Sequence, residues 1–319
     1  MKNKQSIIPQ FLKKNASFTS IFVALILISI VWSVLTPYYL TLSNFKNICV
    51  YVSANGIMAA GLTITLVLGG LDLSQISLMA LSGMAAAIGY EHGLRGITLL
   101  LVAMLVGIVG GMINGCLITY IGIKPFIATL ATQLAFRGMA FIVTDGRYIS
   151  INDTMVRFIG FNSIFGLPSM FWIMILVYLI IGFVMKYTQY GRNIYSVGGS
   201  RIASRLSGIP VKKVELVSYI ISGLTAGIAS ILYIAQGSVA LNNAGTGSEM
   251  DIMTAAILGG LSLSGGKGTV LNTFMGVVLL SVIANGMSLL SISSYYQMLI
   301  KGIILIVAVF VDHLREEKN

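Results

Sequence analysis

Ten apolar runs constrain this chain more than any other feature of its sequence. They fall at residues 18–36, 47–69, 74–90, 97–119, 126–144, 169–185, 214–236, 252–264, 269–290 and 296–311. A helix needs about 20 apolar residues to cross a bilayer, and most of these runs approach that length. Only 9% of the residues are charged, whereas soluble domains carry about 25%. We therefore predict an all-α polytopic membrane protein with about ten transmembrane helices.

Two of the runs fit this pattern less well than the others. The run at 252–264 contains Gly259 and Gly260 and is too short to cross about 30 Å of hydrocarbon at 1.5 Å per residue. We expect a broken or re-entrant helix there, and the sequence leaves open whether it spans. The run at 74–90 is marginal in length.

The basic residues predict the orientation of the chain. With ten spans and a cytoplasmic N-terminus, fourteen lysines and arginines fall on inside segments and four on outside segments. This bias is the one expected of membrane topology, and it does not indicate a nucleic-acid surface. The expected organisation is a cytoplasmic tail at 1–17, one transmembrane domain at 18–312 with a basic cytoplasmic loop at 186–213, and a cytoplasmic tail at 313–319.

Glycine recurs every four residues in two of the predicted spans. Gly107, Gly111 and Gly115 lie on one helix face, and Gly223 and Gly227 repeat the spacing. Small residues at this spacing allow helix backbones to approach closely in lipid, where apolar burial alone does not drive association. We predict a tightly packed helix bundle.

The sequence lacks the motifs of an enzyme or a metal site. The segment 259–268 resembles a phosphate-binding loop, but Leu261 stands where such a loop needs glycine and Gly268 where it needs Ser or Thr. No His/Cys cluster has metal-ligand spacing, so the chain is expected to bind no metal and no cofactor of its own. The segment 259–268 is more typical of a flexible cytoplasmic turn.

Ionisable residues within or between the spans are few. Arg137 and Lys301 lie inside predicted spans, and each is expected either to snorkel to the outer interface or to bond a neighbouring helix. Asp72, before Ser74 at a Gly-Gly break, is typical of a turn or a helix cap. No acid lies clearly at a span centre, which disfavours a transporter powered by protons or sodium.

Neutral polar residues within the spans either bridge helices or line a hydrophilic path, and the sequence does not separate the two roles. The candidates are Asn55, Asn114, Thr129, Gln133, Asn272 and Asn285.

Several ordered blocks between about residues 40 and 312 resemble the permease subunits of bacterial ABC sugar importers of the ribose/xylose/arabinose/galactose type. They include 69–74, 129–146, 190–199, 205–211, 258–268 and 293–297. The family-motif residues that we interpret as structural are Gly69, Gly70, Asp72, Ser74, Arg137, Gly138, Gly259, Gly260, Gly265, Gly266 and Lys267.

The resemblance implies a multi-pass subunit of the bacterial cytoplasmic (inner) membrane that pairs with a second copy or a paralogue. It also implies a cytoplasmic ATPase that binds ATP and Mg, and a periplasmic or lipid-anchored sugar-binding protein. The expected activity is monosaccharide import with a ribose-like pentose favoured, although a hexose, a sugar alcohol or a furanose-like signalling molecule remains open. This chain itself is not expected to be an enzyme.

The family's ATPase-coupling loop corresponds here to a set of residues in the basic loop. They are Gly191, Arg192, Gly198, Gly199, Arg205, Leu206, Gly208, Ile209 and Val211. We expect a short helix at 201–207 that ends at Gly208 and docks into the ATPase. Related permeases often have Glu-Ala-Ala in this loop, whereas here Arg201 begins Arg-Ile-Ala.

Two other function classes remain as alternatives. A self-contained secondary transporter or channel for a small polar solute would take up its substrate without an ATPase. A membrane-embedded enzyme would need a catalytic constellation, and none is evident in the sequence.

Overall fold

The computed structural model describes residues 16–316, with side chains from 18 to 310. Helices make up most of this part of the chain, as predicted. In chain order they are α1 Ala16–Leu35, α2 Leu42–Val67, α3 Gln75–Glu91, α4 Ile97–Cys116, α5 Pro125–Ile142, α6 Thr154–Phe161, α7 Ser169–Tyr187, α8 Gln189–Gly199, α9 Arg201–Leu206, α10 Val211–Gly237, α11 Ser248–Leu258, α12 Val270–Leu289 and α13 Ser294–Glu316. A π-helical turn, Leu117–Ile121, follows α4.

Seven of the described helices are long and apolar enough to cross a membrane, namely α1, α2, α4, α5, α7, α10 and α12. The predicted count of ten is therefore not confirmed. The run at 74–90 forms the 17-residue α3, and the last run forms α13 with a shorter apolar stretch, Ser294–Phe310. The predicted tail at 1–17 lies outside the described residues apart from 16–17, and α13 extends into the tail predicted at 313–319.

The run at 252–264 is not a continuous helix. The helix α11 has 11 residues, which at 1.5 Å per residue is about 16 Å and too short to span. It ends at Gly259, and the chain turns through Gly260, Gly265, Gly266 and Gly268, all at positive φ, before α12 begins. A second break separates α2 from α3 at 68–74.

The predicted glycine packing is confirmed in the contact between α4 and α10. A methyl group on Gly107 would collide with the carbonyl of Gly223, and one on Gly223 with the carbonyl of Gly107. Gly111 packs in the same way on Tyr219, and Gly227 on Ala103. The two helices therefore meet backbone to backbone, which only glycine permits at these positions.

Loops gather at the two ends of α10, which has 27 residues and a length of about 40 Å. Near its start lie α8, α9 and the breaks at 68–74 and 259–269. Near its end, β1 Ile149–Ser150 pairs antiparallel with β4 Val239–Ala240. The segment between α5 and α7 contains the short helix α6, and a small hairpin follows it, β2 Ser163–Ile164 with β3 Leu167–Pro168.

Candidate functional site

The basic loop folds into two short helices, α8 and α9, each started by a side-chain cap. Thr188 Oγ1 accepts a hydrogen bond from the Gly191 amide at 3.2 Å, and Ser200 Oγ accepts one from the Ala203 amide at 3.2 Å. Gly208 adopts φ +81° immediately after α9. The expected short helix is therefore present and ends before Gly208, because a left-handed residue stops a helix there.

The outer face of α9 combines apolar and basic side chains. Ile202 is 77% exposed and Leu206 is 84% exposed. Arg205, next to Leu206 in the sequence, is exposed, and so is Arg192 on α8. Large apolar side chains exposed within a basic rim are typical of an interaction surface.

Arg201 anchors α9 to the start of α10. Its guanidinium forms an ion pair with Glu215, whose side chain is 5% exposed, and the second carboxylate oxygen, Oε2, has no partner among the described residues. A buried carboxylate without its partner is costly, so this contact fixes where α9 lies on α10.

The end of α8 is held to both helix breaks through backbone contacts at four glycines, which we call the glycine junction: Gly69, Gly198, Gly265 and Gly266. The Gly266 amide donates to the Val67 carbonyl at 2.7 Å. A methyl group on Gly198 would collide with that same carbonyl, and one on Gly265 with the backbone of Gly69. The basic loop therefore contacts both broken segments directly.

Two tyrosines of α8 reinforce this attachment. The Tyr195 hydroxyl donates to the Gly268 carbonyl at 2.8 Å. The Tyr190 hydroxyl donates to the Val214 carbonyl at 3.2 Å and lies 2.9 Å from Ser218 Oγ. Burial raises the pKa of Tyr190 to about 12, so the hydroxyl keeps its proton at physiological pH.

The remaining residues of the predicted coupling set have separate positions. Gly191 packs on the carbonyls at the end of α7, whereas Gly199 has open space beside it. Ile209 is half-buried, and Val211 is buried where α10 begins.

A buried polar network starts at the break between α2 and α3. The Asp72 carboxyl accepts from Ser222 Oγ at 2.6 Å and from Ser74 Oγ at 2.7 Å. Asn114 Nδ2 donates to Ser74 Oγ at 2.7 Å, and Thr132 Oγ1 donates to Asn114 Oδ1 at 2.7 Å. The predicted turn role of Asp72 is present, and the network extends from it to α10, α4 and α5.

Thr129 belongs to the same region, because its hydroxyl donates to the Leu71 carbonyl at 3.0 Å. Gly70 packs on the Tyr219 hydroxyl, and Gly69 has φ +84°. Four predicted residues, Asp72, Ser74, Asn114 and Thr129, therefore bridge helices around one break.

Arg137 and Gln133 lie one turn apart on α5, away from this break. Arg137 Nη1 donates to the carbonyls of Asn242 at 2.9 Å and Ala244 at 3.0 Å. Gln133 Nε2 donates to Glu249 Oε1 at 2.9 Å. Of the two roles expected for Arg137, the structure has the hydrogen bond to a neighbouring segment.

Lys301 forms an ion pair with Asp251, with Nζ 2.5 Å from Oδ2. Asn55, Asp251 and Lys301 all line a small cavity of about 20 Å³ between α2, α11, α12 and α13. Sequence reasoning did not single out Asp251, which is 17% exposed and lies in the first turn of α11. The expectation that no acid lies clearly at a span centre stays a prediction. The sequence feature that could have identified Asp251 was an acid in the first turn of an apolar helix.

Asn272 and Asn285 lie apart from the other polar candidates. Asn285 exchanges two hydrogen bonds with Asn44, at 2.8 and 3.0 Å, and so bridges α12 to α2. Asn272 lies in the first turn of α12, where its amide is capped by Thr269. It lies inside a candidate span, as expected, close to the start of the helix.

The other motif residues have mixed surroundings. Gly138 has open space beside it, and Gly259 packs on the Asn272 carbonyl. Lys267 is exposed next to the glycine junction. Within the residues that the structure describes, no three His, Cys, Asp or Glu side chains form a group that could hold a metal ion.

Comparisons with known proteins match nearly the whole chain. A family sequence model described as branched-chain amino acid transport system / permease component matches residues 44–309. The ribose import permease protein of Escherichia coli strain K12 is 38% identical over 303 residues, which cover 93% of this chain and 94% of that protein. The ribose import permease protein of Haemophilus influenzae is 36% identical over 319 residues, covering 98% of each.

A relative that is named for D-allose is almost as similar to this chain. The D-allose transport system permease protein of Escherichia coli strain K12 is 35% identical over 303 residues, covering 93% of this chain and 91% of that protein. No solved structure matches the chain.

Proposed function

Because this chain belongs to the permease family of ABC importers, and within it to the sugar importer permeases, we propose that it forms half of a monosaccharide translocation path. It is a multi-pass membrane protein and a transport subunit, not an enzyme. A second copy or a paralogue supplies the other half. The bacterial cytoplasmic membrane is the expected location.

The glycine junction is the observation that best supports the mechanism. It joins the end of α8 directly to the two places where core helices are interrupted. Interrupted helices in transporters lie where backbone and polar groups face a cavity. A displacement of α8 and α9 therefore passes to α2, α3 and α12 without depending on flexible side chains. In this mechanism, ATP binding closes the ATPase pair and moves the basic loops.

The partner of α9 is a cytoplasmic ATPase that carries ATP and Mg. Ile202 and Leu206 enter an apolar groove on it, and Arg192 and Arg205 pair with acids at the rim of the groove. A sugar-binding protein outside the membrane delivers substrate to the opposite end, near 145–168 and 238–247.

D-Ribose is the favoured substrate. Two permeases named for ribose, from Escherichia coli and Haemophilus influenzae, are 38% and 36% identical to this chain, and the one named for D-allose is 35% identical. These differences in identity are small, so uptake of D-ribose and of D-allose should both be measured.

Purification in mild detergent from the native membrane tests the function. An ATPase that co-purifies with about one nucleotide site per copy of this chain is the expected result. The rival is a self-powered secondary transporter, and the observation that favours it is the half-buried ion pair between Asp251 and Lys301. A chain that purifies alone and moves D-ribose into liposomes without ATP, driven by a proton gradient, would overturn the proposal.

A further inference from the structure

A cluster of polar side chains lies between α5 and the segment that follows α10, and the described contacts do not satisfy it. We call it the outer polar cluster; its members are Gln133, Arg137, Tyr233, Asn242 and Glu249. Gln133 and Arg137 share one face of α5, because residues four apart on a helix are neighbours. Their partners come from residues 242–249 through the bonds described above. The Tyr233 hydroxyl accepts from the Gly245 amide at 3.3 Å.

Two members keep unused hydrogen-bonding atoms inside the protein. Asn242 is 0% exposed, and within the described residues neither Oδ1 nor Nδ2 makes a hydrogen bond. Glu249 Oε2 is also buried and unpaired there. Buried polar atoms in native proteins nearly always have a hydrogen-bond partner, so a buried polar side chain without one is unusual unless it has a function. A missing ligand would explain them.

The unused atoms have the chemistry of a neutral polyol site. A sugar hydroxyl both donates and accepts, and the unpaired buried atoms are an acceptor and a donor on Asn242 and an acceptor on Glu249. The recorded bonds of Arg137 use Nη1 alone, which leaves Nε and Nη2. One acid and one base give the cluster no net charge. A neutral ligand therefore suits it better than an ion.

The position of the cluster also suits a translocation path. It lies near the β4 end of α10, whereas the glycine junction lies near the other end. The segment 238–247 carries Ser238 at φ +54° and Gly245 and Gly247 at φ +67° and +89°. These left-handed residues let a short segment change direction sharply. Sugar can enter only when this segment moves from α5, since Asn242 is enclosed in the present conformation.

From these observations we propose that the outer polar cluster is a sugar-hydroxyl subsite at the extracytoplasmic side of the path, with Asn242 and Glu249 as its contacts. This inference rests on the proposed function. It adds two residues, Asn242 and Glu249, to the polar residues that the sequence indicated as candidates for the path.

Asn242→Leu is the decisive variant. Leucine has nearly the same size and needs no partner, so a merely structural Asn242 predicts unchanged stability and unchanged transport. The subsite predicts a KM for D-ribose or D-allose uptake at least roughly tenfold higher, with the melting temperature not lowered. Glu249→Gln, which keeps an acceptor for Gln133 and turns the free oxygen into a donor, is expected to have the same effect.

The assay is ATP-driven uptake in proteoliposomes that contain the permease, its ATPase and its binding protein. Ser77→Ala is the matched control, because Ser77 Oγ is likewise buried and unpaired but lies on α3 outside the cluster. Its KM is expected to equal that of the unmodified importer.

Each outcome decides a different point. If the unmodified importer moves neither sugar, the proposed function fails and this inference falls with it. If it moves sugar, and both Asn242→Leu and Glu249→Gln keep the normal KM, the subsite alone is wrong. L-Leucine is the third probe. ATP-driven leucine uptake that the two variants abolish would show that the cluster takes a zwitterion and not a polyol.

Discussion

Arg201 stands where the resemblance leads one to expect an acid, and Glu215 is the side chain that neutralises it. The pair joins an exposed helix to a buried carboxylate. It therefore fixes the position of α9 on α10 more than it raises the free energy of unfolding. Exposed ion pairs contribute about 0–1 kcal/mol, whereas a buried charge left unpaired costs several times that amount. The reversed charge at 201 is thus accommodated within this chain and need not be matched by a changed ATPase.

Arg201→Glu is expected to lower ATP-driven sugar uptake by roughly tenfold or more, because it sets two carboxylates together and frees α9 from α10. The inserted amount of protein should stay the same. The double exchange Arg201→Glu with Glu215→Arg restores the pair in reverse and should recover most of the activity. Uptake in proteoliposomes measures both. If the single variant transports normally, or the exchange recovers nothing, the anchoring role of the pair is disproved.

At the scale of elements, the glycine pattern was the most reliable guide in the sequence. The spacing of Gly107, Gly111, Gly223 and Gly227 predicted close helix contact, although it did not say which helices meet. The glycine junction could not be predicted from the sequence. Its members belong to three distant motifs, and only the folded chain shows that they touch.

Gly198→Ala tests the junction as a mechanical link. The added methyl group meets the Val67 carbonyl, which belongs to a helix end and does not yield like a side chain. We expect uptake to fall by roughly tenfold, because overpacking at such a contact shifts α8 away from the core. Sugar uptake and co-purification of the ATPase should be measured together, since loss of uptake with the ATPase still bound identifies a transmission defect.

Gly182→Ala is the control for this variant. Gly182 lies on the neighbouring α7 with nothing within 4 Å of the added carbon. Its uptake should match that of the unmodified protein, with a small gain in helix stability of about 0.5–1 kcal/mol. Equal activity of the two alanine variants would contradict the role of the junction.

For the whole molecule, hydropathy predicted the fold class but not the number of spans. The helix α11 is too short to cross a bilayer and α3 is at the lower limit of length, and most residues of α3 and many of α11 are buried in protein. Their apolar residues therefore reflect packing against other helices. The sequence also did not predict which residues form the network around Asp72 or the outer polar cluster. Each draws its members from several helices, and a pattern along one helix cannot indicate partners on another.

The orientation is tested by single cysteines in a chain whose Cys49 and Cys116 have been replaced by alanine. Arg192→Cys should react with a membrane-impermeant maleimide only from the cytoplasmic side, because it lies on the basic loop. Asn152→Cys, exposed before α6, should react only from the outside. Labelling of both positions from the same side would invert or invalidate the proposed topology.

The Asp251–Lys301 pair has a consequence for how the protein is made. During synthesis Asp251 leaves the ribosome some fifty residues before Lys301, as the separation of 50 positions requires. Until α13 arrives, the Asp251 carboxylate has no countercharge from Lys301, and within the described residues Lys301 is paired with Asp251 on α11. The ion pair is therefore completed late in synthesis, when α13 inserts, and a nascent chain truncated before α13 would expose an unneutralised Asp251 to the quality-control proteases of the membrane.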